Sequence, residues 1–142
     1  MIDEFGREFQ KAVESLAPSG ISKPPLEIDS EARLAAFDTD TVEDIMELGP
    51  FGTANRQPLF LARSVSFTGK PSYVGKDGEH VAFEVESDGG AIDGIGFGMS
   101  RSFKQADVTS GRYDIVFTPF ISARGAMSRQ VQLRLRDFRP AV

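Results

Sequence analysis

Leu48-Gly49-Pro50-Phe51-Gly52-Thr53-Ala54-Asn55-Arg56-Gln57-Pro58 divides the chain into two kinds of sequence. Pro50 and Pro58 each lack a backbone donor and bias Gly49 and Gln57 away from the helical region, while Gly52 allows a turn that a side chain would hinder. A helix therefore cannot run through this joint. Before it, carboxylates are dense and apolar residues recur at helical spacing; after it, apolar and polar residues alternate at strand spacing between glycine-rich turns. The expected organisation is an acidic helical extension over residues 1–56 followed by a small closed sheet over 57–142.

The totals fit that division. The chain has 142 residues, 40% of them apolar, enough for one ordinary domain or a small domain with a helical extension. It has no cysteine and one histidine, which excludes disulfide scaffolds, thiolate metal sites and cysteine catalysis. No apolar run approaches the roughly 18 residues of a membrane span, and Asp3 and Glu4 stand where a signal peptide would be basic, so a cytoplasmic protein is expected. The net charge of −5 is unevenly placed: residues 1–56 carry −7 and residues 57–142 carry +2. A polyanion should meet the second half, although acidic helices also serve simply as soluble surfaces.

Working back toward the N-terminus, Ile2, Phe5, Phe9, Val13 and Leu16 fall three or four apart, which predicts an amphipathic helix over 3–17 that Pro18 and Gly20 end. Its phenylalanines need a cover, in cis from the barrel or from a partner. Pro24 and Pro25 force an extended path into Leu26-Glu27-Ile28-Asp29, read as one short strand. Asp38, Asp40, Glu43 and Asp44 invite a metal reading, but they fit a helix start better. Asp38 or Asp40 can cap a helix through Ile45 and Met46, with Glu43 in a capping-box position after Asp40. Nothing there matches a calcium-binding loop.

Past the joint, strands are expected near 59–67, 79–86, 91–98, 112–121 and 130–138. Val81, Phe83 and Val85 alternate with His80, Ala82 and Glu84, and Val131, Leu133 and Leu135 with Gln132, Arg134 and Arg136, giving each strand one buried and one wet face. Asp77-Gly78 and Asp88-Gly89-Gly90 are hairpin signals that make the first three strands a meander. Met99 to Gly111 lies where a five-stranded oligonucleotide-binding (OB) barrel often carries a helix, though Phe103 and Val108 alone give it weak apolar content and an irregular loop is the alternative. No cofactor motif survives inspection. The segment Gly69 to Lys76 has one residue too many between its glycines for a phosphate-binding loop, and Asp77 stands where Ser or Thr should follow. Gly94-Ile95-Gly96-Phe97-Gly98 ends a strand without opening an evident helix, so close backbone approach or barrel curvature explains its glycines better than a dinucleotide site. His80 lacks partners for catalysis and reads as a satisfied strand histidine.

The order of these segments resembles the C-terminal part of RecJ, the single-strand-specific DNA exonuclease of the DHH phosphoesterase family. Leu26-Glu27-Ile28-Asp29 is similar to that family's l-x-i-D strand, Pro50 to Pro58 to its P-F-G-x-G-N-P-x-P joint, and Val74 to His80 to its V-G-x-x-x-x-H hairpin. Asp93 to Gly98 and Val131 to Asp137 resemble its D-x-I-x-F and L-Q-L-x-I-x-D strands. The resemblance implies an OB barrel that helps grip single-stranded DNA. The Asp- and His-rich motifs that hold manganese or magnesium in the catalytic half are absent from these 142 residues, so no metal, no cofactor and no nuclease activity of its own are expected. The chain departs from the family pattern at Ala54, Arg56 and Ala82, the last replacing a lysine, and Ile121 to Ser128 lacks the Asn-x-Trp signature.

Barrels of this class bind on the face of the second and third strands, closed over by the loops joining strands one to two and four to five. The expected nucleic-acid contacts are Lys70, Tyr73 and Lys76 in the first loop and Arg124 and Arg129 in the second. Arg134 and Arg136 follow on the outward side of the last strand, with His80 and Phe97 as stacking surfaces on the central strands. The plainer alternatives are a core Phe97 and arginines that keep an edge strand soluble. Loss of the tryptophan should leave affinity micromolar or weaker, since stacking is worth about 1–3 kcal/mol per base. The rival expectation is an interaction module or split subunit that docks to a DHH-type nuclease or another DNA-repair protein through its acidic half.

Overall fold

The computed structural model describes residues 25–122 and 129–142; the helix expected over 3–17 lies outside them. β2 (Phe60–Val74), β3 (His80–Ser87) and β4 (Gly90–Gly96) form the expected antiparallel meander. β4 then lies parallel to β6 (Gln130–Pro140), β6 is antiparallel to β5 (Tyr113–Ser122), and β5 pairs with the first part of β2, closing a five-stranded barrel. A sixth strand, β1 (Ser30–Glu31), runs parallel to Phe60 and Leu61. The short strand thus falls after Leu26–Asp29 rather than on it. Asp29 makes the junction, donating its N–H to the Leu59 carbonyl at 2.9 Å while its carboxylate accepts from Leu59 N–H at 2.8 Å.

Alternation builds the core as the sequence suggests. Val81, Phe83 and Val85 point inward from β3, meeting Val65 and Phe67 of β2, Ile115 and Phe117 of β5 and Leu133 and Leu135 of β6. Gly94 is what lets the barrel close tightly. A Cβ there would lie 2.4 Å from the Phe83 ring and 2.9 Å from the Leu133 carbonyl oxygen, at the register where β4 meets β6. Close backbone approach is therefore the reason for that glycine. At the β3–β4 turn, Asp88 and Gly89 take φ of 49° and 82°, the two positive values a tight two-residue hairpin requires.

One element differs from expectation, and one open alternative is decided. β2 continues to Val74 instead of stopping near residue 67, because Gly69 (φ 64°) and Pro71 sit in an irregularity between Thr68 and Ser72 after which pairing with β3 resumes. Met99 to Gly111 is not an irregular loop throughout: α2 (Ser100–Ala106) inserts Phe103 into the barrel end, where its ring stacks on Phe83 at 5.5 Å, and Val108 follows it into the core. Those two side chains suffice because both are buried almost completely.

In front of the barrel, α1 (Thr39–Met46) starts at Asp38, whose carboxylate accepts from Thr41 N–H at 2.8 Å and is held below its ordinary pKa by that bond. Asp38, not Asp40, is the cap, and Glu43 pairs with Arg129 rather than closing a capping box. Val42 of α1, together with Leu34 and Phe37 of the preceding turn, joins the barrel core. The joint then reverses the chain: α1 stops at Met46, and the Asn55 amide donates to the carbonyls of Leu48 (2.8 Å) and Pro50 (3.1 Å), pinning the loop that feeds β2.

Candidate nucleic-acid interface

The outward positions of β3 and β4 form the floor of a groove of about 530 Å³. Ala82 and Glu84 lie in register with Ile95 and Asp93, and Thr68 and Ser72 of β2 form one wall. Phe97, Phe120 and Gln132 close the other sides. The Thr68 hydroxyl donates to the Glu84 carboxylate at 2.5 Å, which fixes its orientation. Ala82 leaves the middle of the floor open, and Ile95 beside it is apolar. Of the charges lining this groove, Glu84 and Asp93 outnumber Lys70.

A second groove, of about 910 Å³, lies on the other side of Phe97. Arg134, Arg136 and Arg139 of β6 line it together with Leu26, Ile28, Asp114 and Asp137. Phe97 borders both grooves and is the ridge between them. The residue is 49% exposed, so it is not core. The Arg134 guanidinium lies over that ring, 4.8 Å from its centroid, and the His80 ring meets it edge-on at 5.1 Å. A cation and an aromatic surface are thus presented at one point, the combination that grips a base and its phosphate.

His80 is the satisfied strand histidine the sequence suggests, and it braces Phe97. Its Nδ1 accepts from Gly98 N–H at 2.9 Å, and its Nε2 lies 3.3 Å from a Glu79 carboxylate oxygen. The Glu79 carboxyl is held below its ordinary pKa mainly by its own backbone N–H and that of Asp77, with His80 adding to the effect. The turn between β2 and β3 is therefore ordered next to the ridge, and Lys76 stands exposed on it.

The remaining expected contacts divide. Lys70 and Tyr73 are strand residues of β2, not loop residues, because β2 runs through them. Lys70 lines the first groove, but Tyr73 shares its face with buried Val81 and packs under Lys104 of α2 at 4.5 Å, away from the groove. Arg129 forms an ion pair with Glu43 of α1. Arg124 lies outside the described residues. Arg136 falls at a bulge, where Val116 faces Asp137 and Phe117 faces Leu135, and is exposed toward the second groove. Sequence reasoning passed over Thr68, Ser72, Glu84, Asp93, Ile95 and Gln132. The outward phase of the same alternation that identified the core could have found those on β3 and β4.

Two more arginines near the second groove are committed to structure. Asp114 is 5% exposed and accepts from Ser64 N–H at 3.0 Å, while Arg63 and Arg139 reach its other oxygen at 3.5 and 3.4 Å. Arg63 is pushed above its ordinary pKa chiefly by its hydrogen bond to Glu31. Among the described residues no three of His, Cys, Asp and Glu converge as a metal site, and no helix is long and apolar enough to cross a membrane.

No curated protein matches the chain significantly. Among solved structures, a chain described as an aspartyl-tRNA synthetase from Leishmania major Friedlin aligns with 94% of this chain at 9% identity and a TM-score of 0.45. The alignment spans about a quarter of that structure, 26% of its length. The family model described as the RecJ OB domain matches residues 28–137, from the strand-like segment before β1 to the end of the inward-facing run of β6. The chain, with its closed barrel and its Pro50 to Pro58 joint, belongs to the RecJ OB domain family.

Proposed function

We propose that this chain is a single-stranded-DNA-binding module, acting with a RecJ-type nuclease or within one and carrying no nuclease chemistry of its own. The observation that supports it is the ridge: an exposed Phe97 under the Arg134 guanidinium, on the face where OB barrels bind, between two grooves. Arg136 and Lys76 extend the cationic side. Binding is weak, micromolar or above, because the first groove carries more carboxylates than cations. The working location is the cytoplasm, where such a module meets DNA. Titration of a fluorescent oligo-dT at low salt tests the reading. Saturable binding that weakens linearly in log salt supports it, and no binding by the wild type removes it. Degradation of single-stranded DNA in manganese, tracking the purified protein, would overturn the non-nuclease part.

A second reading draws on one different observation. Ile45, Met46, Pro50, Phe51, Pro58, Pro119 and Phe120 line an apolar groove of about 300 Å³, and Leu48 next to it is 63% exposed. With the carboxylates of α1 close by, that surface suits docking to a DHH-type catalytic subunit or another repair protein. Such docking should change little with salt.

A further inference from the structure

Resting on the binding reading above, we infer that the first groove selects bases by their donor edges, with Glu84 and Asp93 as the specificity-determining residues and guanine as the preferred base. Residues two apart on a strand share a face and are separated by about 6.6 Å, so Asp93 and Ile95 are neighbours on the outward face of β4, and Phe97, in the turn just past the strand's end at Gly96 rather than on a central strand, lines the same groove beyond them. A base stacked on Phe97 is therefore followed by a second base over Ile95. The opening there exists because Ala82, in register with Ile95, is small. The far edge of that second base meets Glu84 and Asp93, which face each other across β3 and β4.

The two sides of the ridge divide the work. Phosphates are drawn to Arg134 and Arg136 in the second groove, while the carboxylates in the first repel them and leave the base inside. An ionised carboxylate only accepts hydrogen bonds, so it rewards donors on the Watson–Crick edge of an unstacked base. Guanine presents two adjacent donors, its ring N–H and its exocyclic amino group, and fits a carboxylate bidentately. Thymine presents one ring N–H flanked by two carbonyl oxygens, which a carboxylate repels. Glu84 is already oriented by the Thr68 hydroxyl, so little side-chain freedom is lost when the base arrives.

The experiment compares fluorescein-labelled oligomers of about ten nucleotides, within the usual site size of one barrel. One is all dT, one carries a single central dG, and one carries deoxyinosine there, which lacks the exocyclic amino group. The expected result for the wild type is about tenfold tighter binding of the dG oligomer than of all dT, with deoxyinosine between them. A Glu84→Gln, Asp93→Asn double variant, with an unchanged circular dichroism spectrum, should lose the preference and bind all dT more tightly than the wild type does. Each single variant should lose part of the preference. Equal wild-type affinity for dG and dT oligomers overturns the selectivity while leaving single-strand binding in place. A preference that persists in the double variant overturns its assignment to these carboxylates. Failure to bind any oligomer at low salt removes the binding reading and this inference with it.

Discussion

Replacing Phe97 with alanine separates a ligand-gripping ring from a structural one. Phe97 is 49% exposed, with the Arg134 guanidinium 4.8 Å from its ring centroid and the His80 ring 5.1 Å away. Neither contact belongs to the core cluster, so folding loses at most the exposed cation–π contact and some edge packing, about 0.5–1 kcal/mol. Binding loses a stacking surface worth about 1–3 kcal/mol per base, which weakens affinity about 5- to 150-fold. The assay is anisotropy of labelled oligo-dT at low salt, run beside urea denaturation of both proteins. An affinity unchanged by Phe97→Ala refutes the ridge as the binding centre. A loss of stability above about 2 kcal/mol refutes it differently, since a cost of that size belongs to a core side chain rather than a half-exposed one.

Removing the arginines should act through phosphates. An Arg134→Ala, Arg136→Ala variant is expected to reduce the slope of log affinity against log salt by about 1.4, two single-strand phosphate contacts, whereas Arg129→Ala, already paired with Glu43, leaves the slope nearly unchanged. Gly94→Ala should cost about 1–3 kcal/mol in urea denaturation, because its Cβ meets both the Phe83 ring and the Leu133 carbonyl oxygen. Asp114→Asn should cost about 1.5–3 kcal/mol by the same measure, as the charged acceptor shared by Ser64 N–H, Arg63 and Arg139 is lost. The Asp38 cap predicts a pH dependence. Its folded pKa is depressed, so its contribution is present above the unfolded carboxyl pKa and disappears as pH falls through the folded one; the melting-temperature gap between wild type and Asp38→Ala should close in acid.

How far the sequence could be read depended on the range of the forces involved. Val81, Phe83 and Val85 declared their inward face by period alone, and Asp88-Gly89 declared its turn by the φ values only such residues accept easily. Both are local rules. The run of β2 past Gly69 and Pro71 was hidden, because these residues read as a break unless the resumed pairing of Ser72 to Val74 with β3 is known. The helix α2 was half visible for a similar reason: its one core residue, Phe103, with Val108 just past its end, is too little for a period, and their weight comes from the barrel end they fill. The rotation of Tyr73 toward Lys104 follows from its register opposite Val81, which again is long-range information.

The same distinction governs the charges, and it changes what the barrel can hold. Summed along the chain, residues 57–142 are slightly basic, which pointed to a polyanion. In space, several of those cations are already answered: Arg63 and Arg139 by the buried carboxylate of Asp114, and Arg129 by Glu43 of the acidic extension. Glu84 and Asp93, meanwhile, stand inside the groove. A strand approaching this surface therefore meets a narrow cationic border at Arg134 and Arg136 beside an acidic floor. On the proposed binding reading, general phosphate attraction would be correspondingly weak, and a larger share of the affinity would come from stacking on Phe97 and from the edges of the bases. A barrel of this kind would contribute less to holding an arbitrary strand than to favouring particular bases at its centre.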